Sequence, residues 1–251
     1  MRDKNGLYFE EINKKSVKWI YCLITVLMAL VLLIGCIRKP KESFTEIYNI
    51  PEYTGQPYYI VNNNTPFFNL EDLNLDSFVS YSDMDEKGRC GPAFGNITSE
   101  YMPTEDRKDI SGVKPSGWKQ AKYEGIVEDD PPCLFNRCHL IAFCLTGENA
   151  NANNLITGTH YMNIQGMFEY EKIVAKYLRT FKNHVLYRVT PLYKGKERVP
   201  RGVLMEGYSI EDMGEGVCFC VYCYNVQPGV KINYRTGDSR LEHPEIQNNR
   251  W

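Results

Sequence analysis

The chain has no excess of basic charge. Its 251 residues include 29 lysines and arginines against 31 aspartates and glutamates, a formal net charge of −2 at pH 7. Residues 1–18 contain five basic and three acidic side chains, so they carry +2 and the remaining residues carry −4. This balance excludes a domain that holds a polyanion by bulk positive charge. A nucleic-acid ligand would have to be bound by a few placed cations or by a metal ion.

Residues 19–37, WIYCLITVLMALVLLIGCI, lack charge altogether. Basic residues flank this run on both sides, and its 19 residues are enough to cross a bilayer as a helix. A buried core helix of a soluble domain would keep a polar stripe, which this run does not have. The run therefore indicates a membrane segment, and residues 1–18 are predicted to be cytoplasmic.

Two kinds of membrane segment fit the run. The first is an uncleaved signal anchor, whose basic flanks favour the cytoplasmic side. The second is a lipoprotein signal, because Leu33-Ile34-Gly35-Cys36 resembles the bacterial lipobox, whose cysteine is lipidated after cleavage. A polar lead of 18 residues is long for a signal peptide, which favours the anchor. Both interpretations place the protein at the cell membrane, single-pass or lipid-anchored, with residues 38–251 outside the cell.

The chain also lacks an internal repeat, and its residue pattern predicts a stalk at 38–65 followed by one domain at 66–251. Strands are predicted at 78–81, 184–193, 202–210 and 217–224, with another starting at residue 57, and an amphipathic helix is predicted at 168–181. Residues 102–119 are predicted to form a loop, and the tail after Asp238 is predicted to fray. This order of elements indicates an α+β fold.

Nine cysteines are present, and seven of them follow the apolar run. An odd number of cysteines cannot all pair with one another within the chain. Disulfides are permitted outside the cell, but the spacing leaves their pairing open. Cys218-Phe-Cys220-Val-Tyr-Cys223 allows a zinc interpretation, yet neither its CxC nor its CxxC spacing recurs with a matching pair. Alternation around these residues favours a buried strand in which cysteine serves as a small apolar residue.

The segment 136–163, NRCHLIAFCLTGENANANNLITGTHYMN, carries the residues best suited to chemistry. Its apolar surroundings predict that His139 lies on, or at the end of, a half-buried strand. Neutral imidazole can take a proton from water near neutral pH, although a histidine in an apolar setting is more often structural. Cys138 and His139 cannot form a nucleophile–base pair on a strand, because consecutive residues point to opposite faces.

The second half of this segment supplies amide oxygens. Four asparagines between residues 149 and 154 suit turns, and Asn163 comes just before the predicted helix. A lone amide oxygen is a weak ligand, but Mg²⁺ keeps most of its waters and needs only one or two protein oxygens when phosphates supply the rest. A histidine base, an amide-held Mg²⁺ and an arginine for phosphate would form a minimal phosphodiester hydrolase.

These residues resemble those of the DNA/RNA non-specific endonucleases of the ββα-metal fold, and most of all the secreted and surface DNases of Gram-positive bacteria. The similarity runs in order over GRCGPAFGNI, MPTEDRKDISGVKPSGWKQAKYE, the segment 136–163 and VCFCVYCYNVQPGVKINYRTGDS. The resemblance implies a ββα-metal nuclease fold with a central antiparallel sheet, preceded here by one N-terminal membrane helix. It also implies that residues 66–251 form a non-specific endonuclease domain.

The family signature Asp-Arg-Gly-His stands here as NRCH at residues 136–139. The resemblance gives His139 the role of general base, Asn163 the role of metal ligand, and Glu171 that of a carboxylate that holds the metal's waters. Arg137 matches the signature's arginine and is a candidate phosphate contact. Arg107, in the upstream loop, is a weaker candidate for the same role.

The signature has two departures here, since Asn136 replaces its aspartate and Cys138 its glycine. The implied reaction begins when His139 deprotonates a water that attacks phosphorus in line. Mg²⁺, or Mn²⁺ in its place, neutralises charge on the non-bridging and leaving oxygens, and a 5′-phosphate typically results. Base-sequence specificity should be low, because phosphate and metal contacts read no base edges. The expected partners are DNA, RNA as a second substrate, and the membrane.

Two functions of other classes compete with an active extracellular nuclease. One is a catalytically weakened DNA-capture protein, in which Asn136 has removed the chemistry while binding persists. The other is a structural zinc or disulfide module built on the seven outer cysteines. A second basic cluster could extend a phosphate track, although a solvated hairpin tip is the favoured interpretation; it comprises Lys194, Lys196, Arg198 and Arg201.

Overall fold

A computed structural model of the protein describes residues 49–73 and 75–243. The predicted cytoplasmic segment, the apolar run 19–37 and the first part of the predicted stalk lie outside the described residues. Within the described ranges, no helix is long and apolar enough to cross a membrane.

The described residues form short and long strands, two α-helices and several single-turn helices. The strands are β1 (Tyr58–Ile60), β2 (Phe78–Tyr81), β3 (Ala93–Ile97), β4 (Phe135–His139), β5 (Leu155–Thr159), β6 (Val185–Leu192), β7 (Gly202–Ser209), β8 (Cys218–Tyr224), β9 (Val230–Ile232) and β10 (Ser239–Leu241). The α-helices are α1 (Phe143–Thr146) and α2 (Phe168–Thr180), and a π-helical turn at Met162–Met167 precedes α2.

Six of these strands form one antiparallel sheet in the order β1-β8-β7-β6-β3-β2. The β-branched and aromatic runs of β6, β7 and β8 pair along most of their length at the centre. A separate antiparallel hairpin, β4–β5, leads into α2, and β9 pairs with β10. The predicted α+β class and the central antiparallel sheet are therefore confirmed.

Helix α2 covers one face of this sheet. Val174, Ala175 and Leu178 recur at helical spacing and are all buried in the main core. Burying a valine or leucine side chain contributes roughly 1.5–3 kcal/mol, so this stripe fixes the helix against the strands. Glu171 lies one turn earlier on the same buried face, where it interrupts the apolar pattern.

Asn225 attaches the β4–β5 hairpin to the large sheet. Its side chain is fully buried and accepts a hydrogen bond from the backbone N–H of Thr159 at 2.8 Å. The same amide donates to the carbonyls of Thr157 at 3.0 Å and Pro200 at 2.9 Å. Two of these hydrogen bonds reach β5 and the third reaches the segment before β7, so one buried side chain positions the hairpin that carries His139.

The structure differs from the sequence-based expectation at several short elements. Residues 239–241 were predicted to fray, which is wrong, because β10 pairs with β9 through backbone hydrogen bonds. Strands β3 and β5 and helix α1 were not predicted, since their residues are interrupted by glycine or surrounded by turn formers. Strand β1 pairs with β8, so the sheet includes residues that the prediction assigned to the end of the stalk.

Candidate active site

A cavity of about 530 Å³ lies between the hairpin β4–β5, the start of α2 and the loop before β4. Arg137 and His139 of β4 line this cavity, whereas Cys138 between them is buried in the core. The alternation of side chains along β4 therefore separates the thiol from the imidazole, as predicted. The structure brings all five predicted site residues to the cavity: Arg107, Arg137, His139, Asn163 and Glu171.

One hydrogen bond orients the imidazole of His139. Its Nε2 lies 2.8 Å from the backbone carbonyl oxygen of Asn149. A carbonyl oxygen only accepts, so Nε2 carries the proton and the neutral ring keeps a lone pair on Nδ1. Burial lowers the pKa of His139, the backbone carbonyls of Asn149 and Glu148 oppose this shift, and the nearby Arg107 guanidinium adds to it, so that the pKa is lowered. The ring is therefore a neutral base at a pH where an exposed histidine is partly protonated.

The loop that supplies this carbonyl is held by Asn154. The Asn154 side chain is fully buried, its Oδ1 accepts from the N–H of Ile141 and its Nδ2 donates to the carbonyl of Ile141, both at 2.9 Å. Gly147, at a φ of 64°, ends α1 and turns the chain toward Asn149. The sequence indicated only that the asparagines between residues 149 and 154 suit turns. It gave no signal that Asn154 in particular would hold the loop through its side chain.

Asn163 lies in the π-helical turn that joins β5 to α2. The N–H of Phe168 donates to the carbonyl of Asn163, which adds one residue to an ordinary helical turn. The side chain of Asn163 is half-buried, and it makes no hydrogen bond to another described residue. Gly166 lets the turn approach the sheet, because a β-carbon there would lie 3.2 Å from that of Cys223. The amide is thus exposed to the cavity by a local departure from α-helical geometry.

Glu171 presents a buried carboxylate to the same cavity. The residue is only 9% exposed and forms no hydrogen bond within the described part of the chain. Burial raises the pKa of Glu171 to about 8, and Arg107 opposes that rise. A cation bound next to Glu171 would stabilise the ionised form of its carboxyl group, so this position favours cation binding.

The two arginines differ in how freely they can bind a ligand. Arg137 donates from Nε to the carbonyl of Val113 at 2.5 Å and from Nη2 to that of Ser111 at 2.7 Å, and its guanidinium stacks 4.3 Å from the Trp118 ring. Arg107 is exposed, and its guanidinium forms no hydrogen bond to the residues that the structure describes. Arg137 therefore holds the loop at residues 111–113, whereas Arg107 keeps its donors unpaired within the described part of the chain.

Comparison with known proteins agrees with this arrangement. The family model for DNA/RNA non-specific endonuclease matches residues 71–210. A curated relative, the Deoxyribonuclease of Streptococcus dysgalactiae subsp. equisimilis, is 31% identical over 213 residues, which is 68% of this chain and 64% of the relative. The chain belongs to the DNA/RNA non-specific endonuclease family. The chain spans less than two thirds of this relative's length, 64%, and its family is one of nucleases.

Two solved structures of nucleases are similar to this endonuclease fold. NucA from Streptococcus agalactiae with magnesium ion bound has a TM-score of 0.66 and 28% identity, covering 78% of this chain and 92% of its own. Sda1 nuclease with bound zinc ion has a TM-score of 0.60 and 25% identity, covering 72% of this chain and 95% of its own. Both relatives therefore bind a metal ion, although not the same one.

The two departures from the family signature have different surroundings. Asn136 lines the cavity, and its side chain makes no hydrogen bond to a described residue. Cys138 fills core space that Gly158 of β5 leaves open, because a β-carbon at Gly158 would lie 2.3 Å from the Cys138 sulfur. Burial raises the pKa of the Cys138 thiol, so this cysteine is a packing residue and not a nucleophile.

The cysteines after residue 89 are all free thiols in this endonuclease. Cys218, Cys220 and Cys223 lie on β8, so the predicted strand is confirmed; Cys218 is exposed, whereas the other two are buried. Among the described residues, no group of three or more His, Cys, Asp or Glu side chains could hold a metal ion. The structure gives no support to the zinc or disulfide module.

The second basic cluster lies in the connection between β6 and β7. Arg201 forms a two-point ion pair with Glu197 and stacks 4.0 Å from the Tyr234 ring. Because this arginine is already paired, the favoured interpretation of a hairpin tip fits the structure better than an extended phosphate track.

Proposed function

We propose that this protein is a Mg²⁺-dependent endonuclease that hydrolyses phosphodiester bonds of DNA, and also of RNA, without sequence specificity. The observation that carries the proposal is the shared cavity. It joins an imidazole with a free Nδ1, two oxygen-donor side chains and an unpaired guanidinium. A base, metal ligands and a phosphate contact are the parts that such a hydrolysis requires.

The residues at the cavity fit a hard divalent cation. Asn163 offers an amide oxygen without a competing hydrogen bond in the described part of the chain, and Glu171 offers a carboxylate whose pKa is raised by burial. Oxygen donors of this kind suit Mg²⁺ or Mn²⁺, with Asn163 as the direct ligand and Glu171 holding its waters. When bound, the cation would neutralise charge on the phosphate oxygens.

His139 supplies the proton transfer in this proposal. The Asn149 carbonyl holds the Nε2–H, so Nδ1 faces the attacking water and accepts its proton. The resulting imidazolium keeps its Nε2–H bond to the carbonyl, which stabilises the charged ring. The lowered pKa keeps the ring ready as a base below the usual pH range of histidine.

Arg107 is the proposed phosphate contact, because its donors are unpaired. Replacing Arg107 by alanine should lower kcat/KM for DNA by about 10- to 100-fold, the effect of losing a charged hydrogen bond worth roughly 1.5–3 kcal/mol. Arg137→Ala is the matched comparison, and it should mainly lower the melting temperature by releasing the loop at residues 111–113. Equal kinetic losses in two variants of equal stability would contradict this division of roles.

Localisation is also part of the proposal, and the apolar run 19–37 supports it. We place the protein at the cell membrane with the endonuclease domain outside the cell. Cys218 is exposed, so a membrane-impermeant maleimide should label it on intact cells, whereas a Cys218→Ser variant should show much less labelling. Labelling that appears only after lysis would place the domain inside.

Digestion of plasmid DNA by the full-length protein tests the proposed activity. Cleavage should occur with Mg²⁺ and stop with EDTA, and supplying excess Mg²⁺ should restore it. If the folded protein binds DNA but does not cut it at any Mg²⁺ concentration, the capture function becomes the better account. Asn136→Asp is then the informative variant, because restored cleavage would assign the loss to that departure.

A further inference from the structure

Tyr187 lies in the middle of β6, at the centre of the six-stranded sheet. Its side chain is fully buried, and its hydroxyl group has no hydrogen-bond partner among the described residues. Burying an unpaired hydroxyl costs roughly 1–3 kcal/mol, whereas phenylalanine would fill the same space without that cost. A buried hydroxyl of this kind therefore indicates a partner or a role.

The sheet makes room for this ring. Tyr187 is paired directly with Gly95 of β3 on one side and with Gly207 of β7 on the other, and Gly207 is paired with Phe219 of β8. Directly paired residues lie on the same face, so the tyrosine has a glycine on each side in one row. A β-carbon at Gly207 would lie 2.5 Å from the Phe219 ring, so the row depends on glycine there.

Helix α2 covers the face on which this row lies. Tyr170 of α2 contacts Phe219 of the row with ring centroids 4.8 Å apart, and Tyr187 belongs to the same core. Glu171 lies on the buried face of α2, next to Tyr170, and it makes no hydrogen bond to a described residue. Burial first, and then the Glu171 carboxylate, raise the pKa of Tyr187. Two unpaired buried groups, a phenol and a carboxylate, are thus close between helix and sheet.

The carboxylate of Glu171 interacts electrostatically with groups at the cavity and in the core. The charge of Arg107, which lines the cavity, opposes the rise that burial causes in the pKa of Glu171, and the carboxylate adds to the rise that burial causes in the pKa of Tyr187 and of Cys223, which are buried in the core. Of these two groups in the core, the phenol is the strong donor, because thiols donate weakly. A donor there would stabilise the ionised carboxylate in a low-dielectric interior.

We propose that Tyr187 is a positioning residue for Glu171, and that the Tyr187 hydroxyl donates to the Glu171 carboxylate through a buried water molecule. The bond fixes the rotamer of Glu171 and holds its charged form toward the cavity that Asn163 lines. The inference rests on the proposed function, because it takes Glu171 as the group that holds the metal's waters. Hydrogen bonds to groups around a metal typically contribute about 10- to 100-fold in metal affinity.

Metal binding by the Tyr187→Phe variant tests this inference without DNA. The full-length protein, purified in detergent, is titrated with Mn²⁺ while free Mn²⁺ is measured by electron paramagnetic resonance, and Mg²⁺ is used as competitor. The dissociation constant should rise about tenfold. The melting temperature without metal should change little, because phenylalanine fills the same space and the loss is limited to one buried hydrogen bond. An unchanged dissociation constant would overturn the inference.

Tyr177→Phe is the matched control. This tyrosine is also on the buried face of α2, but its hydroxyl donates to Asp212 at 2.8 Å and does not reach the cavity. The control should lower the melting temperature and leave Mn²⁺ affinity unchanged. A similar loss of affinity in both variants would mean that loosening α2, and not the Tyr187 hydroxyl, is responsible.

A double variant tests whether Tyr187 acts through Glu171. Adding Tyr187→Phe to Glu171→Gln should weaken Mn²⁺ binding no further, because the charged partner is already gone. If the fold-losses of Mn²⁺ affinity in the two single variants multiplied in the double variant, the inference would be overturned, even if Tyr187→Phe alone is unstable. In the cleavage assay, Tyr187→Phe should raise the half-saturating Mg²⁺ concentration and leave kcat at saturating Mg²⁺ and KM for DNA unchanged.

The outcomes also separate this inference from the proposed function. A protein that never cleaves nucleic acid, but whose Mn²⁺ affinity depends on Tyr187, would overturn the endonuclease activity and support the link to Glu171. A protein that cleaves normally with unchanged affinity in Tyr187→Phe would overturn the inference alone.

Discussion

Replacing His139 by alanine should lower kcat/KM for plasmid DNA by about 10²- to 10⁴-fold, the range that a positioned general base contributes. The lone pair on Nδ1 of His139 is available to accept a proton near neutral pH, because the Asn149 carbonyl holds the Nε2–H and the ring lines the cavity. The measurement is initial-rate digestion at saturating Mg²⁺, with circular dichroism melts to compare stability. The variant should lose about 1 kcal/mol of stability with that hydrogen bond.

A second histidine provides the control. His184 is also hydrogen-bonded, through Nδ1 to Glu211 at 2.6 Å and Nε2 to Ser77 at 3.1 Å, but it does not line the cavity. His184→Ala should lower stability and leave kcat/KM within about twofold of the unmodified protein. Added imidazole should partly restore cleavage by His139→Ala, since a small base can enter the space left. A folded His139→Ala protein that keeps a tenth of its activity would remove His139 from the base role.

Replacing Asn163 by alanine should raise the half-saturating Mg²⁺ concentration by at least about 100-fold, the upper end of the effect of groups that only support a metal ligand. Asn163 is the proposed direct ligand, and its amide is held out to the cavity by the π-helical turn Met162–Met167. The measurement is cleavage rate against Mg²⁺ concentration, together with Mn²⁺ titration of the protein without DNA. Very high Mg²⁺ should restore part of the rate.

Gln165 provides a matched amide control, because it belongs to the same π-helical turn but does not line the catalytic cavity. Gln165→Ala should leave both the Mg²⁺ dependence and the Mn²⁺ affinity unchanged. Asn163→Asp is a further informative variant, because it keeps an oxygen donor at the position and adds charge. If Asn163→Ala bound Mn²⁺ as tightly as the unmodified protein, the metal would have to be held elsewhere.

The elements that were predicted from the sequence are those with a strong local pattern. The helix at 168–181 and the strands at 78–81, 202–210 and 217–224 each carry a periodic or continuous apolar run, and the structure ends them within one residue of the prediction. Strand β5 was not predicted, because it follows the asparagine-rich turn and contains Gly158. It forms a strand because it pairs with β4. Pairing between strands is a long-range property, and it overrides weak local preference.

In the candidate site, too, some features were predicted from the sequence and others were not. Residue types in the segment 136–163 pointed to His139 and Asn163, and the family resemblance added Glu171. The structure brings these residues to one cavity, and their catalytic roles stay predictions. No local pattern indicated that Arg137 would be bound by the carbonyls of residues 111 and 113, which leaves Arg107 as the free cation. The reason is that a guanidinium's partners depend on how a loop folds back over a strand.

By itself, the sequence determined the α+β class, the main strands and helix α2, and its family resemblance singled out five of the residues that line the cavity. These follow from apolar periodicity and from residue types at short range, which local chemistry controls. Only the tertiary structure decided which nitrogen of His139 is protonated, that Asn154 holds the loop beside it, and that the Tyr187 hydroxyl is buried without a hydrogen-bond partner among the described residues. Each of these depends on hydrogen bonds and burial between residues that meet only after the chain has folded.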